Sequence, residues 1–159
     1  MIHVLERVRL DASLAVAWAW LSDLERLLTV NLFHAAAFVV DPPRAGLRMR
    51  LDHRWGPSPT FHRQARLTHW EPLRRIGWVE IEPRHPKGAF PHSQQITLAP
   101  LGAHATLLTN ELRGSLNLPF VKRPADRLAQ RLIVAPVVRR ECAYLRAHIR
   151  APRSPEEAA

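Results

Sequence analysis

The sequence predicts an α+β domain. A curved antiparallel sheet of about six or seven strands is expected to wrap around one long C-terminal helix, with two short helices after the first strand. Three observations predict it. Short alternating runs from residue 47 to 112 are separated by Gly/Pro turns. The last stretch, from about Val121 to Ile149, keeps a three-four apolar spacing. The length, 159 residues, suits a single core.

The elements follow in order. Val4 to Leu10 reads as a strand, with Val4, Val8 and Leu10 on one face. Glu6 shares that face, which is unusual for a core. Asp11 or Ser13 can cap a helix over about Leu14 to Leu21, because a short side-chain oxygen accepts an orphan backbone N–H. Asp23 can cap a second helix, about Leu24 to Leu32, striped by Leu24, Leu27 and Leu28. Asp41-Pro42-Pro43-Arg44-Ala45-Gly46 is a break. Strands follow at Leu47–Trp55, Thr60–Trp70, Arg75–Glu82, His92–Leu98 and Ala105–Leu112. The turns between them are Gly56-Pro57-Ser58-Pro59, Glu71-Pro72, the stretch from Pro83 through Pro86-Lys87-Gly88, and Pro100-Leu101-Gly102. This is the signature of an antiparallel meander.

In the final helix the apolar positions are 121, 125, 128, 132, 138, 142, 145 and 149. Pro136 removes one backbone bond and its ring clashes with the carbonyl four residues back, so a kink or break is expected near Ile133. Residues 1–150 form one domain on this reading. Residues 151–159 are small, charged and proline-containing, and are expected to be disordered.

Composition narrows the function. The chain is 47% hydrophobic and 23% charged, within the ordinary globular range. No run approaches the ~20 apolar residues of a membrane span. The start, Met1-Ile2-His3-Val4-Leu5-Glu6-Arg7, lacks the apolar core of a signal peptide, so a cytoplasmic protein is expected. The single cysteine, Cys142, fits a reducing compartment and reads as packing.

The net charge of +9 comes almost wholly from arginine spread along the chain. That spread fits a compositional bias and gives no specific nucleic-acid signal. The last helix nevertheless carries Lys122, Arg123, Arg127, Arg131, Arg139, Arg140, Arg146 and Arg150 against only Asp126 and Glu141. A peripheral membrane or acidic-partner contact through it is one reading, and a solvated outer face is the other.

Several stretches resemble a known family. Leu10-Asp11-Ala12, then Ala17-Trp18-Ala19-Trp20-Leu21-Ser22-Asp23-Leu24, resembles the opening of the START-like SRPBCC superfamily, with Ala17 where a branched apolar residue is usual. Leu67-Thr68-His69-Trp70-Glu71-Pro72-Leu73-Arg74-Arg75 is similar to the "I-T-x-W-E-P-P-R-R" strand end of a bacterial ligand-binding branch. Thr106-Leu107-Leu108-Thr109-Asn110-Glu111 is similar to its "T-x-L-T-D-E" strand. Arg140-Glu141-Cys142-Ala143-Tyr144-Leu145-Arg146 is similar to its closing helix. The resemblance spans about residues 3 to 150. It implies a helix-grip fold with a cavity between sheet and long helix, and hydrophobic-ligand binding of the lipid-transport or polyketide cyclase/dehydrase type.

Alternation places candidate cavity residues on the inner face: Arg63, His92, Gln94 and Asn110 from the strands, and Leu128 and Leu132 from the helix. Trp78 either lines the cavity or supports the outer face. The histidines show no zinc-motif spacing, and no Gly-rich phosphate loop is present, so neither a metal nor a cofactor is expected.

The leading expectation is a binding or carrier protein for a small hydrophobic molecule, either a monomer or a homodimer, and not primarily an enzyme. The first alternative is a cyclase or dehydratase in which His92, Arg63 or Asn110 polarises the substrate. The second is a basic interaction module with an anionic partner.

Overall fold

The computed structural model describes residues 1–54, 60–81, 90–118 and 122–150. Trp55, the Gly56–Pro59 turn, Pro83, the Pro86-Lys87-Gly88 turn, Val121 and the 151–159 tail lie outside the described residues.

Strand β1 (Ile2–Leu10) leads into helices α1 (Leu14–Leu21) and α2 (Leu24–Thr29). Ser13 caps α1 by accepting from the Val16 N–H, and Asp23 caps α2 by accepting from the Arg26 N–H. A meander follows: β2 (His34–Phe38), β3 (Arg48–His53), β4 (Phe61–Glu71), β5 (Arg75–Glu80), β6 (His92–Pro100) and β7 (Thr106–Gly114). The seven strands form one sheet in the order β1-β7-β6-β5-β4-β3-β2, antiparallel throughout.

Strand β2 departs from the expectation. Its His-Ala-Ala-Ala-Phe sequence has little β propensity, so no strand was expected there, and α2 ends earlier than predicted. Pairing with β3 and packing against α2 hold it in place.

The C-terminal rod runs through α3 (Lys122–Ala129), a π-helical turn (Gln130–Val134) and α4 (Ala135–His148). The irregularity predicted near Ile133 is present as this π turn. Pro136, in the first turn of α4, has no N–H to return to the preceding turn, and the wider π turn accommodates it without breaking the rod.

The core lies between the concave face of the sheet and α1, α2 and α4. Leu10, Leu21, Leu28, Leu51, Leu67, Ile76, Leu108 and Leu145 are almost fully buried there. A second cluster, Ile2, Val4, Leu112, Val134 and Val138, seats the π turn and the start of α4 on β1 and β7. Glu6, the charged residue on the core face of β1, accepts a 2.8 Å bond from Nε of Arg139 on α4. Its position is therefore at the sheet–helix seam, where it is only partly buried.

Candidate functional site

The inner face of the sheet carries two adjacent polar rows. Each follows from strand alternation and register. In β5 and β6, Trp78 pairs with Gln94, and one step toward the loops Glu80 and His92 occupy the same inward face. Asn110 faces inward from β7, diagonal to Gln94.

The first row meets α4. Nε2 of Gln94 donates to Oδ1 of Asn110 at 3.0 Å and to Oε2 of Glu141 at 2.8 Å. Nδ2 of Asn110 donates to the same Oε2 at 3.0 Å. Burial pushes the Glu141 carboxyl up to about 7, and bonds from Gln94, Asn110 and Asn31 only partly offset it. A carboxyl poised there exchanges a proton near neutral pH. Three buried atoms in this row make no hydrogen bond among the described residues: Nε1 of Trp78, Oε1 of Gln94 and Oε1 of Glu141. Their residues line a void between the sheet, α2 and α4, together with Asn31, Asn110 and the apolar Leu27, Leu28, Val30, Ile96 and Leu145. The void leaves about 10 Å³ for a water molecule's centre, room for about one water.

The second row lies toward the loops. His34, His53, Glu80 and His92 are all buried. His34 donates Nδ1–H to the Leu28 carbonyl at 2.6 Å, and its ring sits 4.6 Å from that of His53. Nδ1 of His92 lies 3.1 Å from the Phe90 carbonyl and 3.3 Å from Oε1 of Glu80. Burial, with the neighbouring histidines, brings His34 down to about 3 and His53 to about 4; burial also lowers His92. The three imidazoles are therefore neutral at pH 7. Half-buried Arg63 joins this row from β4, close enough that its charge also lowers His53 and His92. Among the described residues, no group of three or more His, Cys, Asp or Glu is placed to hold a metal ion.

The structure thus brings Trp78, Gln94 and Asn110 to one void and puts His92 and Arg63 one row away. Trp78, whose face was open on sequence grounds, is on the inner one and almost fully buried. Leu128 and Leu132 do not line the void. Each is 61% exposed, because α3 and the π turn direct Asp126, Ala129 and Gln130 toward the protein and the two leucines outward. The buried stripe runs instead through Val134, Val138, Glu141, Cys142, Leu145 and Ile149. Cys142 is packed in it, and burial pushes its thiol up to about 12, so it stays protonated. On sequence grounds Glu141 is one of few acids on a basic helix, within the stretch similar to the closing helix, and not a site residue. Its signal was its place, between Val138 and Leu145 on an apolar stripe, where a carboxylate needs a partner.

No family model and no curated protein matches the chain. Solved structures do match. A START superfamily protein from Mycobacterium smegmatis is similar over 100% of both chains, with 17% identity and a TM-score of 0.70. The di-domain ARO/CYC BexL from the BE-7585A biosynthetic pathway is similar over 95% of this chain and 50% of its own, with 14% identity and a TM-score of 0.67. Norcoclaurine synthase from Thalictrum flavum is similar over 92% of this chain and 87% of its own, with 13% identity and a TM-score of 0.62. With the seven-stranded antiparallel sheet and the long closing helix, these likenesses identify the fold of this chain as the START/SRPBCC-like helix grip.

Proposed function

We propose that the chain binds a small hydrophobic molecule carrying a hydroxyl, or a comparable group that both donates and accepts, between α4 and the inner face of the sheet. One observation carries this reading. A buried donor without a protein partner (Nε1 of Trp78) and two unpaired oxygens (Oε1 of Gln94 and Oε1 of Glu141) belong to residues that line the same apolar-walled void. An unsatisfied buried polar atom costs about 1–3 kcal/mol, so three together favour a ligand that completes them. The fold neighbours, a START superfamily protein and an ARO/CYC of a biosynthetic pathway among them, support a hydrophobic ligand, which we read as lipid-like, polyketide-like or isoprenoid-like. A void of about 10 Å³ holds no such molecule as it stands, so binding requires α4 or α2 to move outward.

The test is a thermal-shift panel of long-chain and isoprenoid alcohols, phenols, quinols and polyketides, read on the wild type and on Trp78→Phe. A ligand at ~1,000 times its Kd stabilises by about 4 kcal/mol, a clear rise in melting temperature. The expected result is a rise that Trp78→Phe diminishes. A panel without any shift overturns the reading.

A second reading, an enzyme of the cyclase or dehydratase type, is favoured by Glu141 alone, since a carboxyl held near 7 is matched to acid–base work at neutral pH. It predicts that Glu141→Gln keeps binding but loses turnover of the bound compound.

A further inference from the structure

The segment before α4 is built inside out. In α3 and the π turn, Asp126 is buried and Ala129 and Gln130 are half-buried, with Oε1 of Gln130 accepting from the His3 N–H on β1 at 3.1 Å. The apolar side chains point the other way: Leu128 and Leu132 are 61% exposed and Ile133 is 41% exposed. Arg123, Arg127 and Arg131, also exposed, follow one another four residues apart. At ~100° per residue that arginine row runs directly beside the row of Leu128 and Leu132. The outward arc is therefore half guanidinium and half leucine, while the arc that meets the sheet is small and polar.

We propose that this outward arc docks the protein onto an anionic lipid surface, with the leucines entering the acyl boundary and the arginines meeting headgroup phosphates. Arginine binds phosphate oxygens bidentately, and an apolar stripe bordered by cations is the pattern of a helix lying in a membrane interface. The net charge of +9 acts in the same direction at longer range. A second copy of the chain fits less well, because a two-fold contact through the leucines brings like arginine rows together. A nucleic acid accounts for the arginines and leaves the leucines unused. Crossing the bilayer is not implied, since no helix among the described residues is long and apolar enough.

Flotation with phosphatidylcholine vesicles, with and without phosphatidylglycerol, tests the proposal on the full chain at physiological salt. Binding is expected to be at least about tenfold tighter with the anionic lipid. The double substitution Leu128→Ser and Leu132→Ser is expected to weaken it about tenfold while leaving the melting temperature unchanged, because both sites are at the surface. Arg127→Glu with Arg131→Glu should weaken it by a similar factor. Absence of vesicle binding overturns the proposal, as does binding that the serine pair leaves unchanged. So does a dimer in solution that the serine pair dissolves, or tighter binding to an RNA homopolymer that the serine pair leaves intact.

Discussion

The two halves of the C-terminal rod each bury one carboxylate, and the two carboxylates behave oppositely. Burial alone would push Asp126 on α3 up, but other groups outweigh it. The N-terminal ammonium lies 2.8 Å away, and Asp126 accepts from the Leu116 N–H at 2.8 Å and from Ser115 Oγ at 2.9 Å. Its carboxyl is therefore held below the ordinary range. Glu141 on α4 lies deeper, meets only neutral amides, and rises to about 7. Depth and partner together decide whether a buried acid is charged. Asp126 is a structural clasp. Glu141 is a group left able to change its state.

Substitutions in α4 and in the π turn break this comparison most strongly. Leu145→Ala removes a side chain only 1% exposed and is expected to destabilise by about 2–5 kcal/mol, whereas Leu132→Ala should stay within about 0.5 kcal/mol. Urea midpoints measure both. A large loss at Leu132 would show that the outer half of the rod is seated against something.

The next effect is pH dependence. The folded-state pKa of Glu141 is raised above its unfolded value near 4.5, so its favourable contribution is fully present below about pH 4.5 and is lost as pH rises through about 7. The loss is on the order of 3 kcal/mol. His34 and His53, with depressed values of about 3 and 4, act in the opposite sense and cost stability as pH falls below about 6.5. Comparing wild type with Glu141→Gln from pH 4.5 to 8 isolates the carboxyl. The wild type should lose stability relative to the variant across that interval. A constant difference would mean that Glu141 is not shifted.

A smaller loss than at Leu145 is expected at the clasp. Asp126→Ala leaves the Leu116 N–H and the Ser115 hydroxyl without their acceptor and should cost about 1–3 kcal/mol, with little change between pH 6 and 8. Unfolding curves at both pH values read it.

Much of this was legible in the sequence. Alternation gave five of the strands in the meander, and a short oxygen before each apolar run gave both helix caps. The inward positions of His92, Gln94 and Asn110 came from two-residue periodicity, and all three residues are buried. What was missed has physical causes. Strand β2 is held by its neighbours and not by its own alanines. The phase of the helix was read through Leu128 and Leu132 because apolar residues were assumed to face inward, and the π turn breaks a single phase across the whole rod. Following the buried stripe through Val134 and Val138 instead would have brought Glu141 to the site.

The pairing of β1 with β7 has a consequence for synthesis. Ile2 lies opposite Gly114, so β1 has its ladder partner more than a hundred residues downstream. At ~5–20 residues per second, the nascent strand waits roughly 5 to 20 s on the ribosome with both edges unpaired and its isoleucine and valines in water. The meander can zip up in chain order during that interval, but closure of the sheet is deferred to the moment β7 emerges. A long-range contact of this kind sets the folding rate and marks the interval in which a chaperone has most to shield.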